Sequence, residues 1–107
     1  MVQIMLQYFD DCPNWRAGHD RLMAAIQQLG SDRFHVELRL IGSPEQAVAQ
    51  QFRGSPSFRV DGVDPFAEDG APFGMACRVY RTPEGMAGSP TVEQLVEALA
   101  AADSHQL

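Results

Sequence analysis

A change of hydrophobic period at Cys12-Pro13 is the feature that most constrains the fold of this chain. Residues 2–9 alternate between two faces, which is typical of a β-strand. Residues 13–29 instead carry apolar side chains at helical spacing, and Gly30 follows as a C-cap. Cys12 is therefore predicted to lie at the N-cap of a helix, with Pro13 at its first position. A sulfur there would face free N–H groups and the positive end of the helix dipole, which favours a thiolate.

The remaining segments continue the alternation of strands and helices. Residues 34–40 and 57–60 are predicted strands. A capping box at residues 43–46 opens a helix to about Phe52, and a second box, Thr91 to Gln94, opens the last helix. Between them we expect a long loop at about 62–76, a strand at 77–81 and a turn at 82–85. The predicted order is β-α-β-α-β-β-α in a single domain, residues 1–107, with a frayed tail from about residue 103.

Charge and cysteine content narrow the functional class. The 107 residues carry a formal net charge of −6, which argues against nucleic acid or an anionic membrane as the main partner. The sequence shows neither a secretory leader nor a run of apolar residues long enough to span a membrane. Two cysteines without a leader fit the reducing cytosol better than a disulfide scaffold. We therefore expect a cytoplasmic protein.

The element order, the Cys-Pro start of the first helix and a proline directly before the third strand resemble the thioredoxin-like fold in its minimal, glutaredoxin-sized form. This resemblance covers nearly the whole chain and implies an α/β fold. The expected core is a four-stranded mixed sheet with helices on both faces. It also implies thiol–disulfide exchange, in which Cys12 is the nucleophile that forms a mixed disulfide. Asp10 and Asp11 would oppose a thiolate at Cys12, whereas Arg16 would favour it.

The chain departs from the family motif at its fourth position, where Trp15 replaces the resolving cysteine. A protein with one motif thiol would exchange with a low-molecular-weight thiol as co-substrate, or would have lost turnover. Trp15 is in phase with Leu22 and Leu29, so core packing competes with a substrate-binding role for its ring.

Pro56 matches the family's cis-proline. By resemblance it would lie beside the reactive sulfur and leave the backbone of Ser55 free to pair with an extended substrate. The competing interpretation is a trans proline that ends a helix, because a proline at the first residue of a strand is ordinary.

Cys77 is a candidate second thiol, and strand direction argues against its pairing with Cys12. The fourth strand should begin at the end of the sheet far from Pro56, about 13–17 Å away, whereas bridged Cα atoms lie within about 7 Å. A loop that folds residues 70–77 back over Cys12 would alter this. The default expectation is that Cys77 is a small core residue.

Three functions remain open from the sequence. The first is thiol–disulfide exchange or thiol transfer through Cys12, with a protein or small-molecule partner. The second is a binding or dimerisation module that retains the fold without turnover, for example as a homodimer through the aromatic residues of the 62–76 loop. The third is capture of a soft metal such as mercury or copper by Cys12 and Cys77, as in alkylmercury-lyase-like proteins. No bound cofactor and no metal cluster are predicted, and the acids Asp61, Asp64, Glu68 and Asp69 are expected to form a solvated face.

Overall fold

The computed structural model describes residues 1–68 and 70–105, and within them it has a mixed α/β architecture. The strands are β1 (Val2–Tyr8), β2 (Phe34–Leu40), β3 (Ser57–Val60), β4 (Tyr80–Thr82) and β5 (Gly85–Ala87). The helices are α1 (Trp15–Leu29), α2 (Pro44–Ala49) and α3 (Val92–Ser104), with a 3-10 turn at Ser31–Arg33. The α/β prediction is confirmed. No helix in the described ranges has the length and apolar character needed to cross a membrane.

A three-stranded sheet of order β2-β1-β3 forms the centre of the molecule. β1 pairs in parallel with β2, with Val2 opposite Phe34, and α1 makes the connection between them. β1 pairs antiparallel with β3, with Leu6 opposite Phe58. Both edges of β1 are therefore paired, which agrees with its predicted central position.

The two faces of this sheet are covered differently. One face packs against α1 and α3 in the main apolar core, which contains Ile4, Leu6, Leu22, Ile26, Phe58, Leu95 and Leu99. On the opposite face, the Gln7 amide donates to the carbonyl of Gln50 (3.3 Å) and the Arg59 guanidinium donates to that of Gln51 (2.9 Å), just beyond α2. A smaller cluster of Ile41, Ala47 and Phe52 packs with Phe9 and Met75. Helices α1 and α3 thus cover one face, and the segment that follows α2 contacts the other.

The predicted four-stranded sheet is wrong. β4 is restricted to Tyr80–Thr82 and pairs with β5 in a separate two-stranded hairpin, with Tyr80 opposite Ala87. Beyond β3 the chain makes a tight turn in which Val63 bridges back to Val60, and its next backbone bridge to this region joins Cys77 to Ser55. Pro56 has no N–H with which to extend pairing from Ser55 into β3. The predicted strand at 77–81 therefore begins three residues late and lies outside the main sheet.

Several element boundaries also differ from the predictions. α1 begins at Trp15 with Asn14 at its N-cap, so Cys12 is not the capping residue. α2 ends at Ala49 and does not reach Phe52. α3 begins with the predicted capping box at Thr91 and Gln94 and continues to Ser104. Asp103 forms an ion pair with Arg33 (3.1 Å), so the frayed tail does not begin at residue 103, and residues 106–107 lie outside the described part of the chain.

Candidate functional site

Cys12 lies in the turn between β1 and α1, where its N–H donates to the carbonyl of Phe9 (3.1 Å). Its side chain is buried, with 1% of its surface exposed. The thiol donates a hydrogen bond to the carbonyl oxygen of Ser55 at 3.3 Å. The predicted contact between this sulfur and the cap of α1 is wrong, because the helix starts later and the thiol is directed to a carbonyl group.

The Ser55-Pro56 dipeptide lies beside Cys12, and its peptide bond is cis, as the resemblance predicted. Both residues are buried. Pro56 packs closely against α1, because a Cβ added at Gly18 would come within 2.9 Å of the Pro56 Cγ. The hydroxyl of Tyr80 donates to the Pro56 carbonyl oxygen. Pro56 is thus restrained by its packing against Gly18 of α1 and by its hydrogen bond with Tyr80.

The structure brings Cys77 into contact with Cys12. The Cys77 thiol donates a hydrogen bond to the Cys12 sulfur, and the two Sγ atoms are 3.7 Å apart. Both cysteines are free thiols, Cys12 buried and Cys77 exposed. The expectation that Cys77 lies at the far end of the sheet, as a core residue, is wrong. The connection after β3 runs back to the Pro56 end before β4 begins, as the alternative folding of residues 70–77 required.

The backbone of residues 76–78 pairs with Ser55. The Ser55 N–H donates to the Ala76 carbonyl (2.8 Å), and the Arg78 N–H donates to the Ser55 carbonyl (3.0 Å), which makes a parallel bridge between Ser55 and Cys77. Gly54 permits this approach, because it has φ +109° and a Cβ there would be 2.9 Å from the Ala76 oxygen. Both backbone polar groups of Ser55 are therefore occupied by the chain's own segment. We call residues 76–78 the thiol segment.

The Arg78 side chain anchors the thiol segment. It forms an ion pair with Asp64 (2.7 Å), donates to the Ser57 hydroxyl (3.2 Å) and to the Phe66 carbonyl (2.7 Å), and lies over the Tyr80 ring. The prediction of a solvated acidic face is therefore wrong for Asp64, which is mostly buried. Asp61 and Glu68 are exposed, as expected, and Asp69 lies outside the described residues.

This packing raises the pKa of two side chains, Cys77 and Tyr80. Cys77 is exposed overall, but partial desolvation of its sulfur, together with the hydrogen bond and the charge of Cys12, raises the pKa of Cys77 above its ordinary value. Two adjacent sulfurs cannot both ionise without repulsion, so the pair favours a state with at least one proton. Burial, chiefly, also raises the pKa of Tyr80, which keeps its hydroxyl protonated as a donor to Pro56.

Trp15 is not part of this constellation. Its ring stacks on Tyr8, with centroids 4.1 Å apart, and packs against the main core, while Arg16 lies over it at 4.8 Å. Its indole N–H is buried without a hydrogen-bond partner in the described structure. These contacts favour the core interpretation of Trp15 over the substrate-binding one.

A cleft of about 490 Å³ adjoins the exposed sulfur. It lies between the loop that follows β3 and the thiol segment, and its lining includes Arg53, Phe66, Phe73, Cys77, Arg78 and Arg81. Three of the eight basic residues of the chain therefore border one cavity. Cys77 is accessible from this cleft, whereas Cys12 lies behind it.

The structure thus brings together four of the five candidates from the sequence, Cys12, Ser55, Pro56 and Cys77. Sequence reasoning missed Gly54, Arg78 and Tyr80, which hold these residues in place. In residues 1–68 and 70–105, no three His, Cys, Asp or Glu side chains converge in a way that could hold a metal ion.

Comparison of the chain with protein-family models, with curated proteins and with solved structures finds no match.

Proposed function

We propose that this chain is a thioredoxin-like thiol–disulfide exchange protein of the cytoplasm in which Cys12 and Cys77 form a reversible redox pair. The observation that carries the proposal is the 3.7 Å contact between the two sulfurs. Cys77 supplies the second thiol that the motif lacks at Trp15. The hydrogen bond from the Cys12 thiol to the Ser55 carbonyl, which brings the Ser55-Pro56 pair beside the sulfurs, also supports the proposal.

The different solvent exposure of Cys77 and Cys12 determines which sulfur reacts first. A reagent from solution meets Cys77, because Cys12 is buried. The Cys77 thiolate attacks a disulfide RSSR, an S–S bond forms to one RS group, and the other leaves as RS⁻. Cys12, as its thiolate, then attacks the Cys77 sulfur and expels the second RS⁻, so that the protein disulfide forms. The two thiol protons leave with the two RS⁻ groups, the dithiol is oxidised and RSSR is reduced to two RSH.

Exposure to hydroxyethyl disulfide, followed by mass measurement under non-reducing conditions, tests this function. The expected product has lost two hydrogen atoms, carries no adduct and has a Cys12–Cys77 link in its peptide map. Cys12→Ser should retain a stable adduct on Cys77, because the second attack is removed. A wild-type chain that keeps the adduct, or that does not react at all, would contradict the redox pair and support the binding-module alternative.

Convergence of the two sulfurs also supports a second candidate, capture of a thiophilic ion such as copper(I) or mercury(II) between two thiolates. Binding would release the two thiol protons. Titration with each metal should then give one ion per chain, and either single Cys→Ser variant should lose that binding. Equal binding by Cys77→Ser and the wild type would exclude the two-thiolate site.

A further inference from the structure

We infer that the substrate of this redox pair is a small anionic disulfide that binds in the arginine-lined cleft and exchanges at Cys77. This inference rests on the proposed function. It narrows the substrate from any disulfide to a class defined by size and charge, through two independent observations.

The first observation concerns size. An extended peptide would need the Ser55 N–H and carbonyl for backbone pairing, and both already bond to the thiol segment at 2.8 and 3.0 Å. Arg78, beside Cys77, is fixed by Asp64, Ser57 and Phe66, so this segment is anchored by a mostly buried side chain. A peptide would have to displace these bonds before it reached the sulfurs. A small molecule reaches Cys77 through the cleft without displacing them.

The second observation concerns charge. Arg53, Arg78 and Arg81 border the cleft, with Glu68 as an acidic residue of the lining. Asp64 neutralises Arg78, and Glu68 pairs with Arg81 on the exposed side, where such a pair is weak. Arg53 is held by the carbonyls of Glu68 and Ala71 and by the ring of Phe73. Within the described residues it has no carboxylate partner, so its guanidinium can donate hydrogen bonds to a ligand carboxylate.

The net charge of the whole chain opposes the binding of anions. The chain has a formal net charge of −6, so its overall field repels anions. A preference for an anionic disulfide over a neutral one must therefore come from local cations. A faster reaction with the anionic disulfide would therefore indicate the local cations, and a slower one would indicate the overall negative field.

Rates of wild-type oxidation by two disulfides of similar size test the inference, dithiodipropionate with two carboxylates and hydroxyethyl disulfide with none. At low ionic strength we expect the dianion to react about tenfold faster, and we expect this advantage to disappear near 1 M salt. Arg53→Gln should remove most of the advantage, so that the ratio of the dianion rate to the neutral rate falls close to one. Arg39→Gln, the same change of charge on β2, should alter neither rate. Equal rates for the two probes, or equal effects of the two variants, would overturn the inference.

A redox-inert probe separates this inference from the proposed function. Suberate has the chain length of dithiodipropionate without its sulfurs, and its binding to the Cys12→Ser/Cys77→Ser double variant can be followed by NMR. Binding that Arg53→Gln abolishes supports the cleft even if no disulfide oxidises the pair. Absence of binding refutes the cleft even if hydroxyethyl disulfide oxidises the pair. A peptide disulfide that reacted faster than dithiodipropionate, with loss of hydrogen-exchange protection at the Ser55 N–H, would also refute it.

Discussion

Arg78 and Asp64 form an ion pair in which Nη1 and Oδ2 lie 2.7 Å apart and the side chains are 10% and 11% exposed. The pair connects the loop after β3 to the residue that follows Cys77. It thus restrains the position of the exposed sulfur, together with the bonds from Arg78 to Ser57 and Phe66. Its energetic importance follows from burial, because removing one partner leaves the other charge poorly solvated.

Asp64→Asn is expected to destabilise the protein by about 3–5 kcal/mol, the usual cost of breaking a buried pair. Urea unfolding of the reduced protein measures this change. Glu68→Gln is the matched control, because it breaks the Arg81–Glu68 pair, whose side chains are 76% and 61% exposed. That control should cost under about 1 kcal/mol. Equal losses in the two variants would show that the Arg78 pair does not hold the loop.

Gly54→Ala should separate the thiol segment from Ser55. An added Cβ would be 2.9 Å from the Ala76 oxygen and 3.0 Å from the Arg78 Cβ, at a positive φ. Gly62→Ala is the control, because it has φ +84° with nothing within 4 Å of its added Cβ. Both variants should lose about 1 kcal/mol or more to backbone strain. Slower formation of the Cys12–Cys77 disulfide is expected for Gly54→Ala alone, and unchanged kinetics in both would contradict the role of this contact.

Alkylation of Cys77 should continue to accelerate as the pH rises beyond the usual range of a free thiol. The reason is that its raised pKa keeps the thiol protonated at neutral pH, and the thiolate is the reactive form. Cys12→Ser removes a sulfur that contributes hydrogen bonding and charge, so the pH–rate curve should shift to lower pH. Mass-resolved labelling with iodoacetamide measures both curves. A shift to higher pH in Cys12→Ser would be inconsistent with the contact.

Tyr80→Phe removes the hydroxyl that donates to Pro56 and is expected to cost about 1 kcal/mol at neutral pH. Because folding raises the pKa of Tyr80, its contribution is complete below about pH 10, the ordinary pKa of tyrosine, and is lost as the pH rises above it. The wild type should therefore lose stability above pH 10 more steeply than Tyr80→Phe. Urea midpoints at pH 8 and 11 test this, and equal losses of stability in the two proteins would contradict it.

Local patterns predicted most elements of the fold because each depends on nearby residues. Alternation of apolar and polar residues predicts the strands β1, β2 and β3, and the capping box predicts the start of α3. The hairpin β4–β5 and the route of the connection before it depend on distant contacts. The Arg78 side chain pairs with Asp64 and donates to the Ser57 hydroxyl. No periodic pattern in residues 62–81 predicts these contacts.

The sequence likewise predicts only part of the candidate site. Cys12 and Pro56 stood out because cysteine and proline have special chemistry and special backbone geometry. An antiparallel fourth strand directly after β3 would place Cys77 at the far end of the sheet, whereas the chain first returns to Ser55. The burial of Cys12 is likewise a tertiary property, which arises where the thiol segment and Ser55 meet over it.

The two sulfurs belong to residues 65 positions apart in the chain. A covalent link between them would close a loop over more than half of the sequence and remove about 4 kcal/mol of conformational entropy from the unfolded chain. Oxidation and folding would then be thermodynamically linked, so that a more oxidising environment raises the free energy of unfolding. The melting temperature of this protein would report the redox potential of its surroundings.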